Sequence, residues 1–276
     1  MPGNIDPQVV QDFGTQWQQF DQSRISVEEL TTTFNSYFAV FPWEQLPTNA
    51  RGFDLGCGSG RWAKLVAQRV GELHCIDPSA AALEIAKKNL SGITNCRFHH
   101  AGVDNVPLED GSMDFGYSLG VLHHIPDTAR GIEACAAKLK RGAPLLLYLY
   151  YAFDNRPRWF AAVWKMADYA RRIFSQSPYS IKYGASQLIA LVIYLPLARL
   201  SLLLQACKLN VHNIPLSSYR NKSFYTMRTD ALDRFGTRLE QRFTRHEISQ
   251  MMQRAGLINI RFCDHAPYWC VIGYKA

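Results

Sequence analysis

The sequence predicts an α/β protein built on a mainly parallel sheet, and three observations carry that expectation. Between Arg51 and Tyr151, short apolar runs alternate with helix-length segments, the pattern of repeated strand–helix–strand units. A glycine-laced segment, Gly56-Cys57-Gly58-Ser59-Gly60, joins the first apolar run to the first helical one. A carboxylate, Asp77, closes the second apolar run.

Strands are expected near residues 52–55, 73–76, 96–100, 113–118 and 144–151, with helices over about 62–70, 80–89 and 128–139. The last of these carries Lys138, Lys140 and Arg141 ahead of Gly142, which suits a helix C-terminus. Thr244-Arg245-His246-Glu247 has the spacing of a capping box and opens a helix to about Arg254, with Gly256 as its stop. Residues 258–263 and 269–274, joined through Pro267, read as an antiparallel hairpin. Ahead of the sheet, Phe13, Trp17 and Phe20 fall at i, i+4, i+7, and Phe34, Tyr37, Phe38 and Phe41 follow. Residues 1–48 are therefore expected as a helical cap, with Trp17 or Tyr37 either packed on the sheet or walling a ligand pocket.

Composition narrows the class. With 47% hydrophobic and 19% charged residues the chain is that of a packed globular protein. Its seven cysteines form no Cys-x-x-Cys pair and fall partly inside apolar runs, which points to reduced thiols, no metal site and a cytoplasmic setting. No secretory signal pattern opens the sequence. The net charge of +7 is unevenly spread. From Tyr151 to Arg228 there are 11 Lys and Arg against only Asp154 and Asp168, a balance of +9, while the other 19 basic and 21 acidic residues leave minus two.

The glycine segment carries the chemistry. Glycines let the backbone turn tightly and approach a ligand, and the following helix offers unpaired N–H groups. Asp77, 17 residues beyond Gly60, can accept both hydroxyls of a ribose, which fits any adenosine-containing cofactor. Gly56, Gly58 and Gly60 alternate and Asp54 precedes them, unlike the Gly-x-Gly-x-x-Gly of nicotinamide sites.

Here the chain resembles the class I S-adenosylmethionine-dependent methyltransferases, whose first motif is an acidic residue followed by Leu-Gly-x-Gly-x-Gly. Residues 54–60 match it, residues 106–115 look like that family's loop and fourth strand, and residues 118–127 resemble a stretch of its small-molecule branch. The resemblance implies a Rossmann-like seven-stranded sheet, mostly parallel with its last strand antiparallel. It further implies S-adenosylmethionine as methyl donor and S-adenosylhomocysteine as product, with no metal. It places Asp54 and the Gly56 backbone on the methionine amino group, with Cys57, Gly58 and Gly60 in the close-approach loop. Asp77 would grip the ribose, Pro78 would line the adenine, and the Leu119 backbone would touch the methionine end. Where the family often has an adenine-binding Asp this sequence has Gly102, leaving the Val103 N–H and Asp104 for that role.

An activated sulfonium methyl needs alignment and dryness more than a base, unless the nucleophile carries a proton. His124, then His123, Tyr150 and Tyr151 near the carboxyl ends of strands four and five, and His265 in the hairpin, are the catalytic candidates; the two histidines read equally as structural groups. Tyr150 and Tyr151 alternate along the expected strand, so one of them faces the pocket.

Residues 152–228 break the rhythm and form an expected helical insertion between the sheet segments 49–151 and 229–276. Residues 185–207 are apolar on every helical face but interrupted by Pro196 and Arg199, short of an uninterrupted membrane span. A lid over the active site, a homodimer interface and a membrane-surface contact through 156–207 all fit, the last making the protein peripheral at the membrane. Tyr219, Arg220, Tyr225 and Arg228, with Trp17, are the expected substrate-binding residues. The leading expectation is methylation of a small, apolar or lipid-like acceptor at O, C or N. The alternatives are an RNA methyltransferase, disfavoured because the basic residues accompany an aliphatic run and no RNA module is present, and a non-catalytic cofactor-binding protein.

Overall fold

The computed structural model describes residues 3–276. In chain order it contains α1 (Pro7–Gln19), α2 (Val27–Tyr37), β1 (Arg51–Leu55), α3 (Ala63–Val66), β2 (Glu72–Asp77), α4 (Ala80–Asn89), β3 (Cys96–His100), β4 (Phe115–Leu119), α5 (Thr128–Lys138), β5 (Pro144–Tyr148), α6 (Arg158–Phe174), α7 (Tyr179–Ile189), α8 (Leu195–Ala206), α9 (Phe224–Gly236), α10 (Arg245–Arg254), β6 (Leu257–Phe262) and β7 (Cys270–Lys275). The chain divides into two compact units, one of residues 1–23, 30–151 and 239–276, the other of residues 24–29 and 152–238.

The first unit holds a seven-stranded sheet in the order β3-β2-β1-β4-β5-β7-β6. Six strands run parallel and β7 alone is antiparallel, pairing with β5 on one side and β6 on the other. This is the expected Rossmann-like sheet. Side chains alternate across it: Leu145 and Leu147 enter one apolar layer with Ile132, Ile248 and Leu257, while Leu146 enters the other with Phe34, Phe38 and Trp62. Strands β1 and β4 interlock through two phenylalanine–glycine pairs. A Cβ on Gly52 would lie 2.3 Å from the Phe115 ring, and one on Gly116 would lie 2.2 Å from Phe53.

Three boundaries differ from expectation. β4 begins at Phe115, because Met113 makes only an isolated bridge to Leu139. β5 stops at Tyr148, so Tyr150 and Tyr151 lie beyond the strand. α5 ends at Lys138, with Leu139 already extended, and Gly142 instead turns the chain into β5, its N–H donating to Lys275 O at 2.8 Å. The capping box forms as expected: Thr244 accepts from the Glu247 N–H, and the Glu247 carboxylate accepts from the Thr244 N–H at 2.7 Å.

The second unit packs α6 to α9 around Ala190, Tyr194, Ala198, Met227, Ala231 and Phe235. Here the expected interruption at Pro196 and Arg199 does not occur. α7, one wide turn over Ala190–Tyr194 and α8 run on as a single 28-residue helix, Tyr179–Ala206. Pro196 has no N–H to donate back into the preceding turn, and the wide turn Ala190–Tyr194 just ahead of it accommodates that loss. By length and composition this helix is able to cross a membrane, and 22% of its apolar window is buried.

Candidate functional site

The turn after β1 is built by backbone conformation. Gly56 and Gly58 have φ of +79° and +53°, a region that side chains resist. Crowding adds a second requirement: a Cβ on Gly56 would lie 2.4 Å from Val121 Cγ2, and one on Gly58 would lie 2.9 Å from the Trp17 indole. The turn is pinned to β2 by Gly56 N–H and Cys57 N–H, which donate to Ile76 O at 2.7 and 3.1 Å.

Asp77 is tied to the same turn. Its Oδ2 accepts from the Gly58 N–H at 2.9 Å and its Oδ1 from the Ser79 N–H at 2.8 Å. Burial pushes its carboxyl up to about 6 against the pull of those two backbone bonds. Asp54, next to last in β1, is more deprived. Burial pushes it up to about 8, and its Oδ2 has no hydrogen-bond partner among the described residues. A hydrogen bond with Cys75 pulls the Cys57 thiol down, yet burial carries it up to about 11, so it stays protonated.

Packing explains the missing carboxylate at Gly102. A Cβ there would lie 2.0 Å from Ile5 Cδ1, so the N-terminal segment occupies the space a side chain would need. Asp104 accepts from the Asn4 N–H and pairs with Arg130 at 3.0 Å. Val103 is buried in the short turn that follows Gly102, and the Pro78 carbonyl is bonded to His100 at 2.9 Å.

A polar cluster lies past the carboxyl ends of β4 and β5. His123 and His124 occupy a single turn, Leu122–His124, next to Val121, the residue packed on Gly56. His124 Nδ1 donates to Leu239 O at 2.7 Å, which fixes its tautomer. His123 is fully buried, stacks on Tyr150 with ring centroids 3.8 Å apart, and neither of its ring nitrogens has a partner among the described residues. Burial first, then His124 and Arg242, hold it well below the usual imidazole range, so it is neutral. Tyr148 and Tyr37 meet edge to face at 4.9 Å on the same side. An unsatisfied buried polar atom costs about 1–3 kcal/mol, so each such group calls for a functional reason.

Sheet order, glycine turn and paired carboxylates coincide with a known family: residues 53–142 match the Methyltransferase domain. The chain carries a class I methyltransferase domain. Among curated relatives it is similar to Ubiquinone biosynthesis O-methyltransferase of Xanthomonas axonopodis pv. citri (strain 306), 28% identical over 138 residues, 49% of this chain and 56% of that protein. The counterpart from Xanthomonas campestris pv. campestris (strain B100) is 27% identical over 135 residues, 48% of this chain and 55% of that one. The chain spans about half the length of these curated relatives. Among solved structures it is similar to the complex between the Haloferax volcanii Trm112 methyltransferase activator and a protein assigned as a methyltransferase. That likeness has a TM-score of 0.53 and 14% identity over 96% of this chain and 97% of that one. A protein from Bacillus halodurans C-125 assigned as a methyltransferase gives a TM-score of 0.51 at 13% identity, over 83% of this chain and 71% of that one. At such identities these structures establish the fold.

Within the first unit the structure brings Asp54, Gly56, Cys57, Gly58, Gly60, Asp77 and Trp17 around one turn, and His123, His124 and Tyr150 into one cluster. It separates the two tyrosines: Tyr151 turns to Tyr268 and Trp269, with ring centroids 5.5 and 6.3 Å away. His265 joins neither group, bonding instead to Cys263 at 3.2 Å in the hairpin. Tyr219, Arg220, Tyr225 and Arg228 belong to the second unit, where Arg228 bonds Tyr183 Oη at 3.0 Å and Arg220 donates to Ser217 O at 2.8 Å. The sequence reading missed Glu240 and Arg242. They lie on the segment before the capping box, and no spacing in the sequence marks them. No group of three or more potential metal ligands occurs among the described residues.

Proposed function

We propose that this chain transfers a methyl group from S-adenosylmethionine to a small, apolar or lipid-like acceptor at a membrane surface. The observation that carries the cofactor half is Asp54, a buried carboxylate with an unpartnered oxygen beside the glycine turn, which matches the α-ammonium of a methionine moiety. Asp77 retains lone pairs for ribose hydroxyls beyond the bonds it accepts from Gly58 and Ser79. The Val103 N–H and Pro78 would face the adenine, with Asp104 committed to Arg130. When bound, S-adenosylmethionine supplies a methyl group already activated by its sulfonium. The protein's share is to hold the acceptor in line, exclude water and take a proton where the nucleophile carries one. Trp17 against Gly58 shields the turn, and His123, His124 and Tyr150 stand on the acceptor side.

The surface of the second unit supports the acceptor half. Of 16 exposed large apolar side chains among the described residues, 14 lie between Trp159 and Leu209. On α6, Trp159, Val163, Met166, Tyr169 and Ile173 follow helical spacing and form one stripe. The surrounding excess of Lys and Arg suits anionic lipid and repels a second copy of the same surface. The relatives named for ubiquinone biosynthesis lend weight to an apolar acceptor. Titration calorimetry with S-adenosylmethionine and S-adenosylhomocysteine tests the first half: one site is expected, and no binding of either refutes it. Co-sedimentation with phosphatidylglycerol and phosphatidylcholine vesicles tests the second. Salt-sensitive binding to the anionic vesicles is expected; equal indifference to both, or a stable dimer that hides the stripe, refutes it.

A further inference from the structure

The strand beside Asp54 supplies a second buried polar group with nothing to bond. In the parallel register of β1 with β4, Asp54 is paired with Tyr117, and in that of β1 with β2 it is paired with Cys75, so the three side chains leave the same face of the sheet. Tyr117 is fully buried, and the Phe38 ring meets it edge to face at 5.3 Å, which fixes the phenol in the apolar layer that also holds Phe34 and Trp62. Its Oη has no hydrogen-bond partner among the described residues, and neither has Asp54 Oδ2. Two polar groups on adjacent strands are thus buried side by side without a completed bond, although a buried tyrosine hydroxyl ordinarily finds one.

Their chemistry gives them a state in which they fit. After burial, which pushes the Asp54 carboxyl up to about 8, Tyr117 is the largest influence on it and pulls it down; Asp77 and Cys96 push it up, and Arg61 pulls it down more weakly. Cys57 and Cys75, whose thiols are themselves pushed up, stay protonated beside it. Burial likewise holds the Tyr117 hydroxyl well above the ordinary phenol range, so it keeps its proton. While Asp54 is protonated, both groups are hydroxyls with either role open; once Asp54 ionises, the carboxylate only accepts and the phenol donates. We propose that Tyr117 is a positioning residue for the cofactor, its hydroxyl donating to the Asp54 carboxylate when Asp54 ionises to receive the ligand's α-ammonium. This role rests on the methyl-transfer function proposed above. As the ligand arrives, the Asp54 O–H bond breaks and its proton goes to solvent, while the Tyr117 O–H bond stays intact and turns onto the carboxylate.

The test titrates S-adenosylhomocysteine into the full chain by calorimetry at pH 7 and pH 8, in buffers of different ionisation enthalpy so that released protons are counted. Wild type should release most of one proton at pH 7 and roughly half of one at pH 8, and Asp54→Asn should release none. Tyr117→Phe keeps a ring against Phe38 but loses the donor. It should bind about tenfold less tightly at pH 7 and release nearly a whole proton at pH 8, because a hydrogen bond to a charged group is lost. Added to Asp54→Asn, the same change should alter neither affinity nor proton release. A packing role alone would lower affinity equally at both pH values, with or without Asp54. Wild type that releases no proton at pH 7 overturns the proposal, as does a Tyr117→Phe protein, or a Tyr117→Met protein where the first does not fold, that matches wild type in affinity and proton release. Failure of the wild type to bind S-adenosylhomocysteine at either pH is a different result, and refutes the methyl-transfer reading itself.

Discussion

Replacing Asp54 by Asn should strengthen the cofactor-free protein and weaken its hold on the cofactor. Burial raises the Asp54 carboxyl from 3.8 to about 8, so the folded state holds its proton through neutral pH while the unfolded chain gives it up. The sign follows from linkage. A raised carboxylic pKa means the unfolded state binds fewer protons above pH 3.8, so stability falls as pH rises from about 4 towards 8. At pH 7 some three units of that window have been crossed, and at about 1.4 kcal/mol per unit the cost reaches roughly 4 kcal/mol. An asparagine carries no such penalty, so thermal unfolding at pH 7 should occur several degrees higher in D54N than in the wild type, with the gap closing below pH 4. The same change removes a charge-assisted hydrogen bond to an α-ammonium, about 1.5–3 kcal/mol, or about a ten- to hundredfold loss of S-adenosylhomocysteine affinity. Wild-type affinity should also fall as pH drops from 8 towards 6, because the ionised carboxylate becomes scarce. Differential scanning fluorimetry and calorimetry across pH 4–8 read both. A D54N protein that melts lower at pH 7, or binds S-adenosylhomocysteine as tightly as wild type, would refute the reasoning.

The other consequences concern backbone and packing. Gly58→Ala should lower both the melting point and S-adenosylhomocysteine affinity, because φ of +53° and the Trp17 contact act together; Gly142→Ala, with φ of +81° but nothing within 4 Å, should show only the strain of about 1–2 kcal/mol in denaturant titration. Gly116→Ala should cost about 1–3 kcal/mol by pushing on the Phe53 ring, and Phe53→Leu in the same chain should recover part of it, read by urea midpoints. Thr244→Ala should cost about 1 kcal/mol through loss of the capping box, with no effect on cofactor affinity.

How much the sequence revealed depended on whether the information was local. The glycine turn, Asp77 and the capping box were legible because each is a short-range constraint: a φ sign, a strand end, a reciprocal side-chain bond. The end of β5 was not, because Leu149, Tyr150 and Tyr151 are as strand-like in type as Leu145 to Leu147. The chain leaves β7 only after Leu149, which still exchanges hydrogen bonds with Trp269 at 3.2 and 3.4 Å, because Tyr150 O accepts instead from the Phe243 N–H at 2.9 Å. Pro196 and Arg199 misled for the converse reason. Each is a local breaker, but a wide helical turn absorbs the proline, and the arginine reaches out to Arg220 O at 3.0 Å without bending the helix. Glu240 and Arg242 were invisible because their meaning comes from residues about ninety or more positions away in sequence, His123 and Tyr150.

Asp54, Ser59 and His123 carry buried polar atoms without a partner among the described residues, and they lie where ligands bind in open α/β sheets, towards and beyond the carboxyl ends of β1 and β4, while the two apolar layers of the sheet are filled by alternating side chains. A protein selected for stability alone would have filled the Asp54 position with an apolar residue, as its neighbours Phe53 and Leu55 are. Its retention makes the free state weaker and the bound state comparatively stronger, because a ligand cation at Asp54 removes a penalty instead of merely adding a contact. At one fixed cofactor concentration, binding should therefore raise the unfolding temperature more near pH 8 than near pH 6, because affinity is higher where the carboxylate is ionised. The pH dependence of that ligand-induced shift, compared between wild type and D54N, separates a carboxylate placed for a ligand from one that is only buried.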